Sequence, residues 1–260
     1  MIPKIIHYCW FGRNPLPPLA EKCISSWKKH CPEYIIIEWN EDNFDIAAAP
    51  LFVRQAYELK KWAFVTDYVR LFAMTTHGGI YMDTDVELVK PLDPFLHHDA
   101  FSGFEDNSHI PTGIMACIKG FPLFCDFLKY YDKLCFVNPD GSLNNVSNVL
   151  FMTEICLQRG LVQNNTFQII ENFALYPNDF FCPVECQSGV LRKTKNTVAI
   201  HWFMGSWLSE ESMKNRKMTQ KKIQHANLVH NILHIPNRIL RFILGDLLYE
   251  KLKKTIKGNT

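Results

Sequence analysis

Two acidic residues lie one residue apart in the stretch HGGIYMDTDVELV, where Asp83 and Asp85 follow the apolar run from Ile80 to Met82. A buried strand that ends in unpaired charges is unfavourable, so these carboxylates need a partner. At positions i and i+2 of an extended backbone they project to the same side of the chain. Two such carboxylates can hold one hard divalent cation, directly or through water. The spacing therefore suggests a metal site, and a solvated surface turn is the alternative.

A charged pair precedes the two carboxylates. Asp67 and Arg70 are three residues apart, so on a helix they lie on one face. Apolar residues at helical spacing predict a helix over residues 53–76: Trp62, Val65, Val69 and Phe72. A surface ion pair would contribute well under ~1 kcal/mol. The pair lies beside the apolar stripe of a helix that we expect to be largely buried, however, where an unpartnered charge is unfavourable.

The elements around these residues predict a sheet that carries the carboxylates at its edge. Residues 4–10 and Tyr34 to Trp39 form short strands on either side of a helix from Leu19 to Lys29. This β-α-β order favours a parallel α/β sheet. Gly78-Gly79 predicts the end of the long helix, and the strand from Ile80 to Met82 follows. In open α/β sheets, ligands bind beyond the carboxyl ends of the strands, where the carboxylates stand.

The second half of the chain continues the alternation of elements. We expect loops and short strands over 98–118, helices over 121–135 and 146–159, and strands over 167–170 and 197–201. From Glu210 onward the composition becomes basic and helical. The sequence therefore predicts a catalytic domain over residues 1–209 and a basic, amphipathic helical extension over residues 210–260.

The bulk composition sets limits on the class of protein. The chain has 260 residues, 47% of them hydrophobic and 21% charged, as in soluble globular proteins. Its net charge of +2 gives no indication of nucleic-acid binding. The first ten residues do not form a signal peptide, and no run approaches the ~20 apolar residues of a membrane span. We therefore expect a cytoplasmic protein, with the inner face of the plasma membrane as an alternative location.

The nine cysteines give little indication of a metal or redox site. No CxxC pair occurs, and the closest spacing is that of Cys182 and Cys186. A structural metal there is a weak hypothesis. Free thiols in a reducing cytosol are the expected state.

Two sequence blocks resemble the DxD sugar-binding region of family 32 glycosyltransferases, which includes bacterial capsular polysaccharide enzymes and yeast mannosyltransferases. They are Ala63-Phe-Val-Thr-Asp67-Tyr-Val-Arg70 and Gly78-Gly-Ile-Tyr-Met-Asp83-Thr-Asp85. The chain is also similar to the glucosyltransferase domains of large clostridial toxins. An opening block from Ile2 to Gly12 and a late block from His201 to Trp207 extend the resemblance over most of the chain.

The resemblance implies a GT-A fold and a retaining, metal-dependent transfer of a hexose from a nucleotide-sugar. It implies that Asp83 and Asp85 hold Mn²⁺ or Mg²⁺ together with His201, and that Arg70 completes the catalytic group. Trp10 would stack on the donor base. The residues implied in donor binding are Tyr8, Cys9, Trp10, Asp67, Arg70, Tyr81, Asp83, Ser206 and Trp207.

The acceptor side is less well marked in the sequence. Glu105 and Asp106 are the candidate acceptor contacts. The segment Ser142 to Glu154 lacks the Gly-Pro turn that related capsular enzymes carry before the Thr-Glu pair, so we expect the acceptor side to differ in detail from theirs. We expect a UDP-sugar donor in preference to a GDP-sugar, and a glycan or lipid-linked acceptor in capsular or lipopolysaccharide synthesis.

Two other functions compete with this one. A phosphatase of the haloacid dehalogenase type also places two aspartates after a strand, but near the N-terminus and followed by Gly-Thr, whereas Val86-Glu87 follows here. A non-catalytic sugar-binding module is the second alternative. The C-terminal segment 236–254 combines an apolar helical face with basic residues, so it predicts either packing on protein or peripheral membrane contact.

Overall fold

The computed structural model describes residues 1–205 and 210–233, with Gly245, Leu248 and Lys251. The described residues fall into two compact units. The larger contains residues 1–186 and 190–205, and the smaller contains residues 187–189 and the long helix that begins at Glu210. The predicted boundary after residue 209 follows four residues that are not described, and only Gly245, Leu248 and Lys251 of the predicted helical segment 236–254 are described, so both stay predictions.

The larger unit is built on a mixed seven-stranded sheet. Its strands and those of a small second sheet are β1 Ile5–Cys9, β2 Ile35–Trp39, β3 Gly79–Met82, β4 Val86–Leu88, β5 Ala100–Gly103, β6 Ile114–Cys117, β7 Gln168–Ile170, β8 Phe173–Tyr176 and β9 Ala199–His201. The main sheet has the order β2-β1-β3-β6-β5-β8-β7, and β4 pairs with β9. Strands β1, β2, β3, β5 and β8 run in one direction, while β6 and β7 are antiparallel to their neighbours.

Helices cover both faces of this sheet. They are α1 Pro18–His30, α2 Leu51–Glu58, α3 Trp62–His77, α4 Pro122–Tyr130, α5 Asn148–Gln158 and α6 Asn178–Phe181, and α7 Glu210–Leu233 belongs to the smaller unit. Val65 and Val69 of α3 pack in one apolar core, and Cys23 and Trp27 of α1 pack in a second core. The predicted α/β class is confirmed by this arrangement, which is the one expected of a GT-A fold.

The single helix predicted over residues 53–76 is wrong in one respect. The chain forms two helices, because Lys60 takes a left-handed conformation (φ 56°) between α2 and α3. The predicted helix end at Gly78 is confirmed: this residue has φ 70°, and an added Cβ would lie 2.6 Å from the Lys119 backbone nitrogen. Glycine is therefore required at this junction between α3 and β3.

The elements of the second half agree with the sequence in outline. Helix α4 is shorter than the predicted 121–135 and ends in a 3-10 turn, whereas α5 matches the helix predicted over 146–159. Strands β7 and β9 are confirmed, but β8 and α6 were not predicted. Among the described residues, the structure contains no helix with the length and apolar content needed to span a bilayer.

Helix α1 fixes the position of β4, which follows the two carboxylates directly. The Trp27 indole donates to the Val86 carbonyl at 2.6 Å, and the Leu88 amide donates to the Ser26 hydroxyl at 2.8 Å. Strand β4 then pairs with β9 in the register Val86↔His201. The small sheet therefore brings His201 to the end of β3, although more than a hundred residues separate them in the sequence.

Candidate functional site

The carboxyl ends of β1, β3 and β5 lie at one edge of the main sheet because these strands are parallel. The residues that follow them are Trp10, Asp83 and Glu105, and Gly113 precedes the antiparallel strand β6 at the same edge. This is the position that ligands occupy in open α/β sheets. The topology thus brings together residues from four separate parts of the chain.

Asp83, Asp85 and His201 form a cluster with metal-ligand geometry. One ligand atom from each residue lies within 4.8 Å of the other two. His201 Nε2 is 3.4 Å from Asp85 Oδ1 and 4.0 Å from Asp83 Oδ2. A turn brings the two carboxylates together, and in this turn the Val86 amide donates to the Asp83 carbonyl at 3.0 Å. The prediction of an extended backbone at Asp83 and Asp85 is therefore wrong.

The second oxygen of each carboxylate is held by the protein. The Met204 amide donates to Asp85 Oδ2 at 2.7 Å. The Tyr81 hydroxyl donates to Asp83 Oδ1 at 2.7 Å, and Arg70 Nη2 is 3.3 Å from the same oxygen. These bonds leave Asp83 Oδ2 and Asp85 Oδ1 facing His201. Held oxygens of this kind orient metal-binding carboxylates.

The electrostatics of the cluster favour a bound cation. Burial by itself would lower the pKa of His201, but the Asp85 carboxylate outweighs burial and raises this pKa well above its ordinary value. Burial would raise the pKa of Asp85, yet His201 and the Met204 amide leave it lowered. The cluster therefore attracts positive charge strongly. Two carboxylate oxygens and an imidazole nitrogen suit Mn²⁺ and, less closely, Mg²⁺, so the residues present fit the metal that the sequence implied.

Arg70 links the cluster to Asp67 and is not a surface residue. It is 5% exposed. Its Nη2 atom lies 3.1 Å from Asp67 Oδ1, and its Nη1 atom donates to the Thr112 carbonyl at 2.8 Å. The guanidinium carbon also lies 4.7 Å from the centre of the Tyr81 ring. The predicted one-face pairing of Asp67 and Arg70 is confirmed, and the surface alternative is excluded.

Asn148 is a site residue that the sequence analysis missed. Its Nδ2 donates to Asp67 Oδ1 at 2.7 Å, and its Oδ1 accepts from the Thr112 hydroxyl at 3.1 Å. Burial raises the pKa of Asp67 to about 6, against the effect of Arg70. Asn148 stands at the start of α5, 81 residues from its carboxylate partner, so no spacing in the sequence connects the two. Its side chain leaves Asp67 Oδ2 free of these contacts.

Gly113 provides the space for the His201 ring. A Cβ atom at this position would lie 2.6 Å from His201 Cε1 and 2.8 Å from Nδ1. The Gly113 carbonyl also accepts from the Asp83 amide at 2.8 Å. The imidazole also lies against the Phe203 ring, with centroids 4.0 Å apart. The ring is therefore held by contacts with a backbone and with an aromatic side chain.

The predicted base-binding residues lie at the end of β1. Trp10 is half-buried, and its indole donates to the Asn14 carbonyl at 2.6 Å. The Tyr8 hydroxyl donates to Glu38 at 2.6 Å, and Cys9 is buried in the core. The side chains of Tyr8 and Cys9 are thus directed into the protein, which leaves their backbone as the part that can border a base. Their role in donor binding stays a prediction.

The remaining predicted site residues divide into two groups. Glu105 is half-buried, and burial raises the pKa of its carboxyl. Asp106 is exposed and is bonded to the His109 ring and to the backbone of the same loop, which lowers its pKa against the effect of burial. Glu105 is therefore the better candidate for an acceptor contact. Ser206 and Trp207 lie outside the described residues.

Comparison with known proteins identifies a sugar-binding region. Residues 17–102 match the family described as glycosyltransferase sugar-binding region containing DXD motif. The chain is 31% identical over 146 residues to inositol phosphoceramide mannosyltransferase 3 of Schizosaccharomyces pombe, covering 52% of this chain and 38% of that protein. It is 25% identical to mannosyl phosphorylinositol ceramide synthase CSH1 of Saccharomyces cerevisiae, covering 70% and 51%. The matched region thus spans about half or less of these relatives.

Among solved structures, the chain is similar to the PaToxG glycosyltransferase, with 20% identity, a TM-score of 0.47 and coverage of 60% of this chain and 68% of that one. The family match supports the predicted DXD glycosyltransferase region over residues 17–102, and the bounds 1–209 of the whole domain stay a prediction. These two fungal relatives, one named as a mannosyltransferase and the other as a mannosyl phosphorylinositol ceramide synthase, give no support to the expected role in bacterial surface polysaccharide synthesis.

Proposed function

We propose that this chain, which carries a DXD glycosyltransferase region, transfers a hexose from a nucleotide-sugar to a hydroxyl group with retention of anomeric configuration. The observation that carries the proposal is the convergence of Asp83, Asp85 and His201 at the end of β3. Each of the two carboxylates uses one oxygen for protein contacts and presents the other to the same point. Such an arrangement suits a metal that binds a diphosphate.

In this proposal Asp83, Asp85 and His201 hold Mn²⁺ or Mg²⁺. When bound, the ion neutralises charge on the departing nucleoside diphosphate. Arg70 and Tyr81 hold Asp83 Oδ1 in place, so the carboxylate does not reorganise when the ion and the donor arrive. The residues thus supply a preorganised binding site, which is the protein's main contribution to such a reaction.

The donor sugar lies against Asp67 in this proposal. Arg70 and Asn148 both contact Asp67 Oδ1, so Oδ2 is the oxygen that can accept from a sugar hydroxyl. Trp10 at the end of β1 stacks on the base. Base stacking on an aromatic ring is worth roughly 1–3 kcal/mol, so Trp10→Ala should weaken donor binding about ten- to a hundredfold. If the folded Trp10→Ala variant binds the donor as tightly as the wild type, Trp10 has a structural role and does not stack on the base.

We propose mannose as the sugar and a lipid-linked hydroxyl as the acceptor. One relative is named as an inositol phosphoceramide mannosyltransferase and the other as a mannosyl phosphorylinositol ceramide synthase, so both names join a mannosyl group to a ceramide lipid. A mannosyl donor makes GDP-mannose the first candidate, ahead of the UDP-sugars expected from the sequence. Glu105, at the end of β5 on the same sheet edge, is the proposed acceptor contact, because a carboxylate there can accept from the attacking hydroxyl.

The test is a nucleotide-sugar panel with the full chain. We measure the thermal shift with GDP-mannose and with three UDP-sugars, each in the presence of Mn²⁺ and in the presence of chelator. One of these donors should raise the melting temperature, and it should do so in Mn²⁺ but not in chelator. Slow hydrolysis of that donor, followed by NMR of the released sugar, should first give the anomer of the donor itself. Hydrolysis of phosphate monoesters instead would support the phosphatase alternative. Binding without turnover, even with lipid acceptors, would support the sugar-binding module.

A further inference from the structure

Helix α7, Glu210–Leu233, carries a concentration of positive charge that the proposed reaction does not use. The sequence from residue 212 to residue 245 contains seven Lys or Arg residues and no Asp or Glu. Its charge is therefore +7, whereas the whole chain has a net charge of +2, so the remaining residues together carry −5. The charge of this protein is sharply segregated along its sequence.

The lysines of α7 lie together on the exposed side of the helix. Lys214, Lys217 and Lys221 follow at intervals of three and four residues, so they form one row, and Lys222 and His225 flank it. All five side chains are exposed. The less exposed residues fall on the other side of the helix: Met213, Arg216, Gln220 and Ile223. Within the described part of the chain, no carboxylate forms an ion pair with the four lysines.

Large apolar side chains stand beside this basic row. Met218 is 51% exposed, Leu228 is 57% exposed and Val229 is 40% exposed, and all three lie on the lysine side of the helix. A single exposed apolar residue needs no explanation. Three exposed apolar side chains among the exposed lysines, however, form a combination that suits the boundary between lipid headgroups and acyl chains.

We propose that the exposed side of α7, formed by Lys214, Lys217, Met218, Lys221, Lys222 and Leu228, binds the surface of an anionic membrane. The lysines face the negative headgroups, and the apolar side chains enter the headgroup layer to a shallow depth. Each lysine near such a surface is worth about 1 kcal/mol, which is about fivefold in affinity. This proposal does not depend on the transfer reaction, since it concerns a different part of the chain.

Charge and side-chain type favour a membrane over nucleic acid. Proteins that bind single strands combine basic grooves with aromatic side chains on which the bases stack. The described residues of α7 include no aromatic ring other than histidine, and Arg216 lies on the less exposed side. Lysines with aliphatic neighbours lack the bidentate and stacking contacts by which arginine and aromatic residues recognise nucleotides.

The experiment measures binding of the full chain to vesicles of phosphatidylcholine with 30% phosphatidylglycerol, and to vesicles of phosphatidylcholine alone. We expect co-sedimentation with the anionic vesicles only, and its loss as the salt concentration rises. The variant Lys214→Gln/Lys217→Gln/Lys221→Gln/Lys222→Gln should bind roughly five-hundredfold more weakly, since each lysine contributes about fivefold. Met218→Gln/Leu228→Gln should weaken binding less and should leave the salt dependence intact.

The matched control replaces four exposed lysines of the larger unit: Lys29, Lys119, Lys133 and Lys193. It changes the net charge by the same amount, so it should bind vesicles as the wild type does if the location of the charge is decisive. Equal losses in both quadruple variants would overturn the proposal, as would wild-type binding by the α7 variant. Tighter binding to a DNA duplex than to anionic vesicles, lost with the same four lysines, would also overturn it.

Discussion

Asp85 illustrates how one residue in the site divides its two oxygens between structure and ligand. One oxygen accepts from the Met204 amide, and the other faces the His201 ring at 3.4 Å. The backbone of the same residue accepts from the Trp202 amide at 3.0 Å. Asp85 therefore fixes the segment after β9 as well as offering a ligand atom, and substitutions there must separate the two roles.

The variant Asp85→Asn should lose metal binding while keeping its fold. The amide is nearly isosteric and its oxygen can still accept from Met204, but one negative charge disappears from the cluster. We expect at least a tenfold weaker Mn²⁺ affinity by calorimetry and loss of donor turnover. Asp132→Asn, at an exposed carboxylate, is the matched control. Wild-type Mn²⁺ affinity in Asp85→Asn would exclude the residue as a ligand.

Asn148 should act on the reaction through Asp67. Removing its bond to a carboxylate in Asn148→Ala should raise the KM for the donor about tenfold with a smaller change in kcat. Asn148→Asp should place a second carboxylate beside Asp67. The added negative charge should raise the pKa of Asp67 beyond its value of about 6, and the acidic limb of the kcat/KM profile should therefore move to higher pH. The exposed Asn145→Ala is the control. An unshifted pH profile in Asn148→Asp would contradict this role.

At the scale of elements, the site depends on how closely the residues before β6 approach β9. The Gly113 backbone is the surface against which the His201 ring packs. This contact joins a loop of the main sheet to the small two-stranded sheet. A side chain at position 113 would therefore act on the proposed metal site through the His201 ring.

Gly113→Ala should displace the imidazole from the cluster. The new Cβ would lie well inside the contact distance of the ring, so the ring must move. We expect the Mn²⁺ affinity of Gly113→Ala to fall at least tenfold. Its free energy of unfolding without metal should decrease by about as much as that of the control variant. That control is Gly141→Ala, where a Cβ would meet no atom within 4 Å but the φ of 82° strains an alanine, so this variant loses stability without a contact at His201. Equal Mn²⁺ affinities in the two variants would show that the ring tolerates the displacement.

The elements that the sequence predicted and those it missed differ in a physical way. Strand β3, its glycine start and the carboxylates after it form one continuous local pattern, and the structure keeps their order, although a turn replaces the extended backbone expected at the carboxylates. The break at Lys60 was missed because a left-handed lysine leaves no signature in residue type. Asn148 and Gly113 were missed because their importance comes from contacts with Asp67 and His201, which are remote in the sequence.

At the scale of the whole molecule, the buried His7 ties folding to pH. Trp39 donates to His7 Nδ1 at 3.1 Å, and the Nε2 atom lies 2.9 Å from the Gly78 carbonyl, so the ring is neutral. Burial lowers the pKa of His7 to about 4 from 6.5. The neutral His7 therefore contributes fully to the free energy of unfolding above pH 6.5. As the pH falls toward 4, the unfolded chain takes up a proton that the folded protein does not, and the free energy of unfolding decreases by about 3 kcal/mol.

Comparison of the wild type with His7→Gln isolates this contribution. Asp67, whose pKa is raised, acts in the opposite direction over the same pH range, so the wild-type profile alone does not report on His7. The difference in free energy of unfolding between the two proteins should shrink by about 3 kcal/mol from pH 7 to pH 4. Urea denaturation at both pH values measures it. A constant difference would mean that His7 is protonated in the folded protein.

The pairing of β4 with β9 has a consequence for synthesis of the protein on the ribosome. The stretch that matches the sugar-binding family ends at residue 102, yet His201 joins the carboxylates only when β9 has been made. At about 5–20 residues per second, the growing chain carries both aspartates for some seconds before His201 is made. A nascent chain that ends before β9 therefore lacks one of the three residues of the proposed metal site, and the proposed activity cannot begin before β9 has been translated.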